Sequence, residues 1–136
     1  MSDARHGCFC LLRHSLSLLL LATVTMLLGC GPVQAPVSDP EQATKLVAQV
    51  MGEWKLGKKW GETKQQTPPI YVTEDLWRNG LTLNDFSLIG NGELLGTSVR
   101  VQVNLKCTDK NGKVISRSVR YLVTTKPALT VMREEG

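Results

Sequence analysis

The chain has 136 residues, with 16 basic and 12 acidic side chains and a formal net charge of +4. So small a positive charge does not favour a nucleic-acid partner. Both histidines, His6 and His14, lie among the first 29 residues. The rest of the chain therefore lacks the commonest general base and zinc ligand, which excludes catalysis by a Ser-His-Asp or Cys-His set there. We predict no cofactor and no metal.

The N-terminal segment has the layout of a secretory signal peptide. Arg5 and Arg13 precede an apolar run that extends from Leu16 to Leu28 and ends at the small residue Gly29. A run of about 13 residues is too short to span a bilayer, which takes about 20. We therefore predict that residues 1–29 form a signal peptide.

The end of this segment, Leu27-Leu28-Gly29-Cys30, resembles the lipobox of bacterial lipoproteins. The resemblance implies that Cys30 becomes the first residue of the mature protein and carries acyl chains such as palmitate, which anchor it to a membrane. Gly31, rather than Asp, follows the cysteine, and by the same resemblance this implies export to the outer membrane. The alternative is an ordinary signal peptide in which Cys30 is incidental.

The remaining chain divides into a tether and one domain. Residues 30–38 contain the candidate lipidated cysteine followed by Pro32 and Pro36, a composition typical of a semi-extended tether. Residues 39–136 have a length suited to a single domain. Cys107 has no cysteine partner there, so we predict no disulfide and expect its thiol to be a small buried apolar group.

A helix begins this domain. Ser38 with Glu41 fits a capping box, whereas Asp39 followed by Pro40 fits a cap with proline at the first helical position. The apolar residues that follow recur at helical spacing and predict one buried stripe: Ala43, Leu46, Val47, Val50, Met51 and Trp54. Gly57 is expected to end the helix.

The middle of the chain is less regular. We expect residues 60–69 to be irregular and residues 70–72 to form a short strand. Residues 75–79 predict a helical turn that Asp75 caps and that points Trp77 inward. A further strand is expected up to Leu88, ending in a turn at Gly90-Asn91-Gly92.

The strongest strand signal comes next. Apolar and polar residues alternate from Val99 to Cys107, which indicates a strand with one buried face. Asn111-Gly112 predicts a hairpin, a return strand covers residues 115–123, and a last strand follows Pro127. The element order predicts an α+β domain in which one N-terminal helix packs on a curved antiparallel sheet of about four strands.

The order of elements resembles the cystatin-like and nuclear-transport-factor-like superfold. Local motifs are similar to those of small uncharacterised bacterial lipoproteins of that kind: Trp54-Lys55-Leu56-Gly57, the Asp-x-Trp-x-x-Gly turn at residues 75–80, Leu83-Asn84-Asp85-Phe86, and residues 121–133. These motifs are structural and imply no activity. The chain is shorter than the full transport-factor form, which implies a shallow concave sheet rather than a deep cavity.

Two sets of side chains are candidates for a site. Tyr71, Asp85 and Tyr121 offer an acid and tyrosines on the helix side of the sheet, a set similar to the pocket of ketosteroid isomerase. The structural alternative is that Asp85 caps a loop while the tyrosines pack their rings. Arg100, Lys106 and Arg120 share the polar face of the two longest strands. They offer contacts to an acidic partner or to phosphate headgroups, or they are simply a solvated face.

These observations favour a lipid-anchored, non-catalytic binding module of the bacterial cell envelope, with a protein or an envelope component as partner. The alternatives are a small-ligand or enzymatic pocket between the helix and the sheet, and a structural lipoprotein that spaces an assembly.

Overall fold

A computed structural model describes residues 34–135 of the chain, and Cys30 with the predicted signal peptide lies outside them. The described elements are helix α1 (Pro40–Lys55), a 3-10 helix (Trp60–Gln65), strand β1 (Ile70–Thr73), the one-turn helix α2 (Asp75–Arg78), and strands β2 (Thr82–Leu95), β3 (Ser98–Thr108), β4 (Val114–Thr124) and β5 (Leu129–Arg133).

Helix α1 begins as the Asp39-Pro40 alternative predicts. The Asp39 carboxylate accepts a hydrogen bond of 2.8 Å from the backbone N–H of Gln42, and Pro40 occupies the first turn. Ser38 is not the cap, because its hydroxyl oxygen is buried and accepts a hydrogen bond from the Thr125 N–H instead. The helix ends at Lys55, two residues before Gly57, which has the left-handed φ of 79° expected of a terminating glycine.

The apolar stripe of α1 is buried against the sheet at all six predicted positions. Trp54, at its end, stacks on Trp77 with ring centroids 5.6 Å apart and donates its indole N–H to the Leu81 carbonyl at 2.9 Å. The stripe faces the alternating apolar residues of β3 and β4, among them Val101 and Val123. The hydrophobic core therefore lies between α1 and one face of the sheet.

The sheet has five strands in the order β1-β5-β4-β3-β2. Its α+β class, its N-terminal helix and its largely antiparallel sheet confirm the sequence prediction, and the finer outcome is five strands rather than about four, with one parallel pair. Strand β1 forms the edge and pairs in parallel with β5, placing Ile70 opposite Leu129. Parallel neighbours need a long connection. Here that connection is the whole of α2, β2, β3 and β4, which a local pattern does not reveal.

Gly90-Asn91-Gly92 is not a turn but an irregularity inside β2, where the pairing with β3 shifts between Ile89 and Glu93. The first and last of its residues have positive φ values of 72° and 82°. The Thr44 hydroxyl of α1 donates to the Asn91 carbonyl at 3.2 Å. A Cβ on Gly92 would lie 2.8 Å from Val99 Cγ1. The glycines thus let β2 kink where the helix crosses it.

Two smaller predictions also need correction. The segment expected to be irregular contains the 3-10 helix Trp60–Gln65. The cap of α2 is Glu74, not Asp75: the Glu74 carboxylate accepts from the Leu76 N–H, and Asp75 is the first helical residue, paired with Arg78. Trp77 points inward as predicted and donates its indole N–H to the Lys58 carbonyl.

Replacing Gly92 by Ala tests the kink in β2. The added methyl group meets Val99, and the alanine must adopt a positive φ. We therefore expect a loss of about 2–3 kcal/mol in the free energy of unfolding, measured by urea denaturation. Gly90→Ala is the matched control, because it has a positive φ but no atom within 4 Å of the new Cβ. Equal losses in the two variants would contradict a packing role for Gly92.

Candidate functional site

The sheet has two unlike faces. One face carries the core under α1, and it continues past the helix to a set of buried polar groups around Glu74. The opposite face carries the polar residues of β2, β3 and β4, and within residues 34–135 no helix covers it. Each face contains part of the sites proposed from the sequence.

Glu74 lies where β1 ends and α2 begins, and its carboxylate is fully buried. Oε1 accepts hydrogen bonds from the Leu76 N–H at 2.9 Å and from Arg133 Nη1 at 2.8 Å, while Oε2 accepts from the Tyr121 hydroxyl. Three donors, one of them a cation, satisfy the buried charge. We call Glu74, Tyr121 and Arg133 the buried triad.

Burial and the Glu74 carboxylate keep the Tyr121 hydroxyl and the Cys107 thiol protonated. Burial raises the pKa of the Tyr121 hydroxyl above its usual value, and the Glu74 carboxylate raises it further. Burial, followed by the same carboxylate, raises the pKa of the Cys107 thiol to about 11. Cys107 is a free, buried cysteine, as expected of a small apolar group. Since the thiolate is the nucleophile, this thiol is inert near neutral pH.

The proposed pocket set of Tyr71, Asp85 and Tyr121 is not brought together. Tyr121 does point to the helix side, but Tyr71 lies on the opposite face and is exposed. Asp85 is exposed and accepts a hydrogen bond of 2.9 Å from Lys55 Nζ, which lowers the pKa of its carboxyl group. The carboxylate that faces Tyr121 is that of Glu74.

The spacing of residues in the sequence indicates that Glu74 and Arg133 point inward. Ile70 and Val72 face the core, and Glu74 continues their period of two. Arg133 continues the period of Leu129 and Val131 in the same way. An acid and a base that both extend an inward-facing series predict a buried ion pair. Neither Glu74 nor Arg133 was among the site residues proposed from the sequence.

The predicted basic trio is split on the open face. Arg100 Nε lies 3.0 Å and Arg120 Nε 3.4 Å from Glu134 Oε2, and Arg100 also approaches Glu93 at 3.6 Å. The two arginines are thus paired with acids. Lys106 lies farther along β3, opposite Asp85 in β2 and Ser116 in β4, and has no ion pair within 4.0 Å among the described residues.

Around Lys106 the sheet forms a shallow depression of about 320 Å³. Its polar lining comes from three neighbouring strands, with Ser87 beside Asn104 and Asn104 beside Ser118 in register. The Ser118 hydroxyl also accepts a hydrogen bond of 3.0 Å from Gln102. Small hydroxyl and amide groups with one free ammonium group can bind a polar partner. Among the described residues, no hydrogen bond joins a serine hydroxyl of this depression to Lys106 or Asp85, so the geometry shows no activated nucleophile there.

Within residues 34–135, no helix is long and apolar enough to cross a membrane, and no group of His, Cys, Asp and Glu could hold a metal ion. No family model, curated protein or solved structure matched the chain in the three comparisons. The function is therefore argued from the residues of this chain alone.

Replacing Glu74 by Ala tests the buried triad. The change leaves the Arg133 guanidinium and the Tyr121 hydroxyl partly or wholly buried without an acceptor, so we expect a loss of about 3 kcal/mol or more in the free energy of unfolding, measured with denaturant. Asp75→Ala is the matched control at the neighbouring residue. Its carboxylate is half exposed and pairs only with Arg78, so its loss should stay below about 1 kcal/mol. Similar losses would contradict the special role of Glu74.

Proposed function

We propose that this protein is a lipid-anchored component of the bacterial cell envelope whose domain is a non-catalytic binding module. The observation that carries this proposal is the contrast between the two faces of the sheet. The members of the buried triad on the helix side satisfy one another, whereas the open face presents hydrogen-bonding groups around an exposed lysine. Such a distribution supports recognition at a surface rather than chemistry in a pocket.

The anchor is argued from the sequence that precedes the domain. The apolar run ends at Leu28-Gly29-Cys30, and the domain begins only eight residues later at Ser38, which is buried against the β4–β5 connection. The short segment between them contains two prolines and suits a spacer. Acylation of Cys30, with palmitate among the chains, would hold the domain close to a membrane, and Gly31 favours the outer membrane.

The depression around Lys106 indicates what kind of partner the open face would bind. Ser87, Asn104 and Ser118 supply both donors and acceptors, and Lys106 adds a positive charge. A protein segment or an envelope polymer with acidic and hydrogen-bonding groups is complementary to this surface. Arg100 and Arg120 contribute less, because Glu134 already pairs with both.

The architecture also supports kinship with the cystatin-like group of small bacterial lipoproteins. A helix packed across the long antiparallel strands β2, β3 and β4 is the shared feature. The parallel pairing of β1 with β5 at the edge is the point at which this chain differs from the simple helix-and-meander pattern expected of it.

One observation favours the alternative of an enzymatic or small-ligand pocket, namely the inward carboxylate beside a tyrosine hydroxyl. However, both oxygens of Glu74 are already occupied and Tyr121 has no exposed surface, so a ligand would have to displace the Arg133 or Leu76 donor to reach the acid. The binding module is therefore the better-supported function.

Replacing Cys30 by Ala tests the anchor. In cells fed an alkyne-tagged palmitate analogue, the wild-type protein should be labelled and float with membranes, whereas Cys30→Ala should lose both properties. Cys10→Ala is the matched control, because Cys10 precedes the apolar run and its loss should leave labelling intact. Labelling that persists in Cys30→Ala would refute the assignment.

A photo-crosslinking residue at Asn104 tests the binding surface. In intact cells, we expect it to form a discrete crosslink to an envelope partner, and Lys106→Glu should reduce the yield at least severalfold by reversing the local charge. The same probe at Glu62, an exposed residue of the 3-10 helix, should give no such product. Equal crosslinking from both positions, or no effect of Lys106→Glu, would contradict the proposed surface.

A further inference from the structure

Residues 35–38 lead into the domain between the β2–β3 turn and the β4–β5 connection. The Ser38 N–H donates to the Thr97 carbonyl at 2.9 Å, and the Ser38 hydroxyl oxygen accepts from the Thr125 N–H at 3.0 Å. Thr97 lies in the β2–β3 turn and Thr125 in the β4–β5 connection. We call residues 35–37, 94–97 and 125–128, with Tyr71 at the start of β1, the anchor end of the domain.

The anchor end concentrates exposed apolar side chains. Eight large apolar residues are exposed among the described residues, and four of them lie here: Val37 (54%), Leu94 (51%), Tyr71 (48%) and Leu95 (44%). Leu95 pairs with Ser98 and Tyr71 with Thr130, so both lie at the strand ends next to the two turns. Their strands are the two edges of the sheet, which places them about 19 Å apart across four strand spacings.

The remaining chemistry of the anchor end suits a lipid–water interface. Lys126 is exposed in the β4–β5 connection, and residues 94–97 and 125–128 include no acid, the adjacent acids being Glu93 and Asp39, whose N–H donates to the Thr125 hydroxyl. A tyrosine ring with a free hydroxyl, aliphatic side chains and a lysine form the combination found where protein meets the headgroup region of a bilayer. The exposed apolar side chains of the anchor end do not belong to the hydrophobic core, so core packing does not explain them.

The short chain between Cys30 and the domain indicates which surface lies next to the anchor end. Ser38 is eight positions after Cys30, and a fully extended chain over that spacing spans at most about 28 Å. An anchor on Cys30 would therefore keep the anchor end at a high effective concentration next to the membrane. Weak apolar contacts are then enough to dock it.

We propose that the anchor end docks on the lipid surface that holds Cys30, with Val37, Leu94, Leu95 and Tyr71 in the interface and Lys126 beside phosphate headgroups. This inference rests on the proposed lipidation of Cys30. It orients the domain: β3 spans 11 residues, so the β3–β4 turn at Asn111 projects about 35 Å away from the membrane.

Lipid quenching of a single probe tests the docking. The mature lipoprotein with Leu95→Cys is labelled with an environment-sensitive fluorophore and reconstituted into vesicles of phosphatidylethanolamine and phosphatidylglycerol that contain spin-labelled lipid. The other thiol, Cys107, is buried and remains unlabelled. We expect a blue shift and loss of most of the fluorescence at residue 95. The matched control Asn111→Cys should keep its fluorescence, and Leu94→Cys repeats the test should Leu95→Cys fold poorly.

Three other outcomes would overturn the proposal. Equal quenching at residues 95 and 111 in a palmitate-labelled, membrane-bound protein would contradict the docking but not the anchor. A blue shift at residue 95 without lipid quenching means that a second copy or another protein covers the anchor end. Absence of palmitate on Cys30 in the wild-type protein removes both the anchor and the docking that rests on it.

Discussion

A carboxylate that has no contact with solvent is the constraint on which the rest of this domain depends. Glu74 is buried, and a buried charge is tolerated only with close donors. Its three donors come from separate parts of the chain: Leu76 in α2, Tyr121 in β4 and Arg133 in β5. The acid therefore holds the end of β1 against the C-terminal half of the sheet. The parallel β1–β5 edge and the short helix that follows it both need this contact.

The same constraint separates structure from function. Because Glu74, Tyr121 and Arg133 are bound to one another, these three groups stabilise the fold and are not free to act on a ligand. Two surfaces remain accessible: the open face around Lys106 and the apolar residues of the anchor end. The two surfaces lie in different directions from the core, so the domain can contact a membrane and a polar partner at the same time.

Local periodicity predicted the elements that are formed by local contacts. Helix α1, the β3–β4 hairpin and the inward side of Tyr121 all follow from patterns within about 15 residues of each other. The parallel pairing of Ile70 with Leu129 depends on residues far apart in the chain, and no local pattern contains it. Gly90-Asn91-Gly92 was misassigned because the same residues suit a turn and a kinked strand. Glu74 was not proposed as a site residue, although its spacing from Ile70 and Val72 indicates an inward position.

The coupling between Glu74 and Tyr121 tests this account most directly. A double-mutant cycle of Glu74→Ala and Tyr121→Phe, measured by denaturant unfolding, removes the acceptor in one variant and the donor in the other, and so isolates the interaction of the two side chains from their other contacts. The account predicts a coupling free energy of about 1–3 kcal/mol, as expected of a buried hydrogen bond to a charged group. A coupling within about 0.3 kcal/mol of zero would mean that the two residues act independently, and would contradict the claim that the buried carboxylate holds the sheet together.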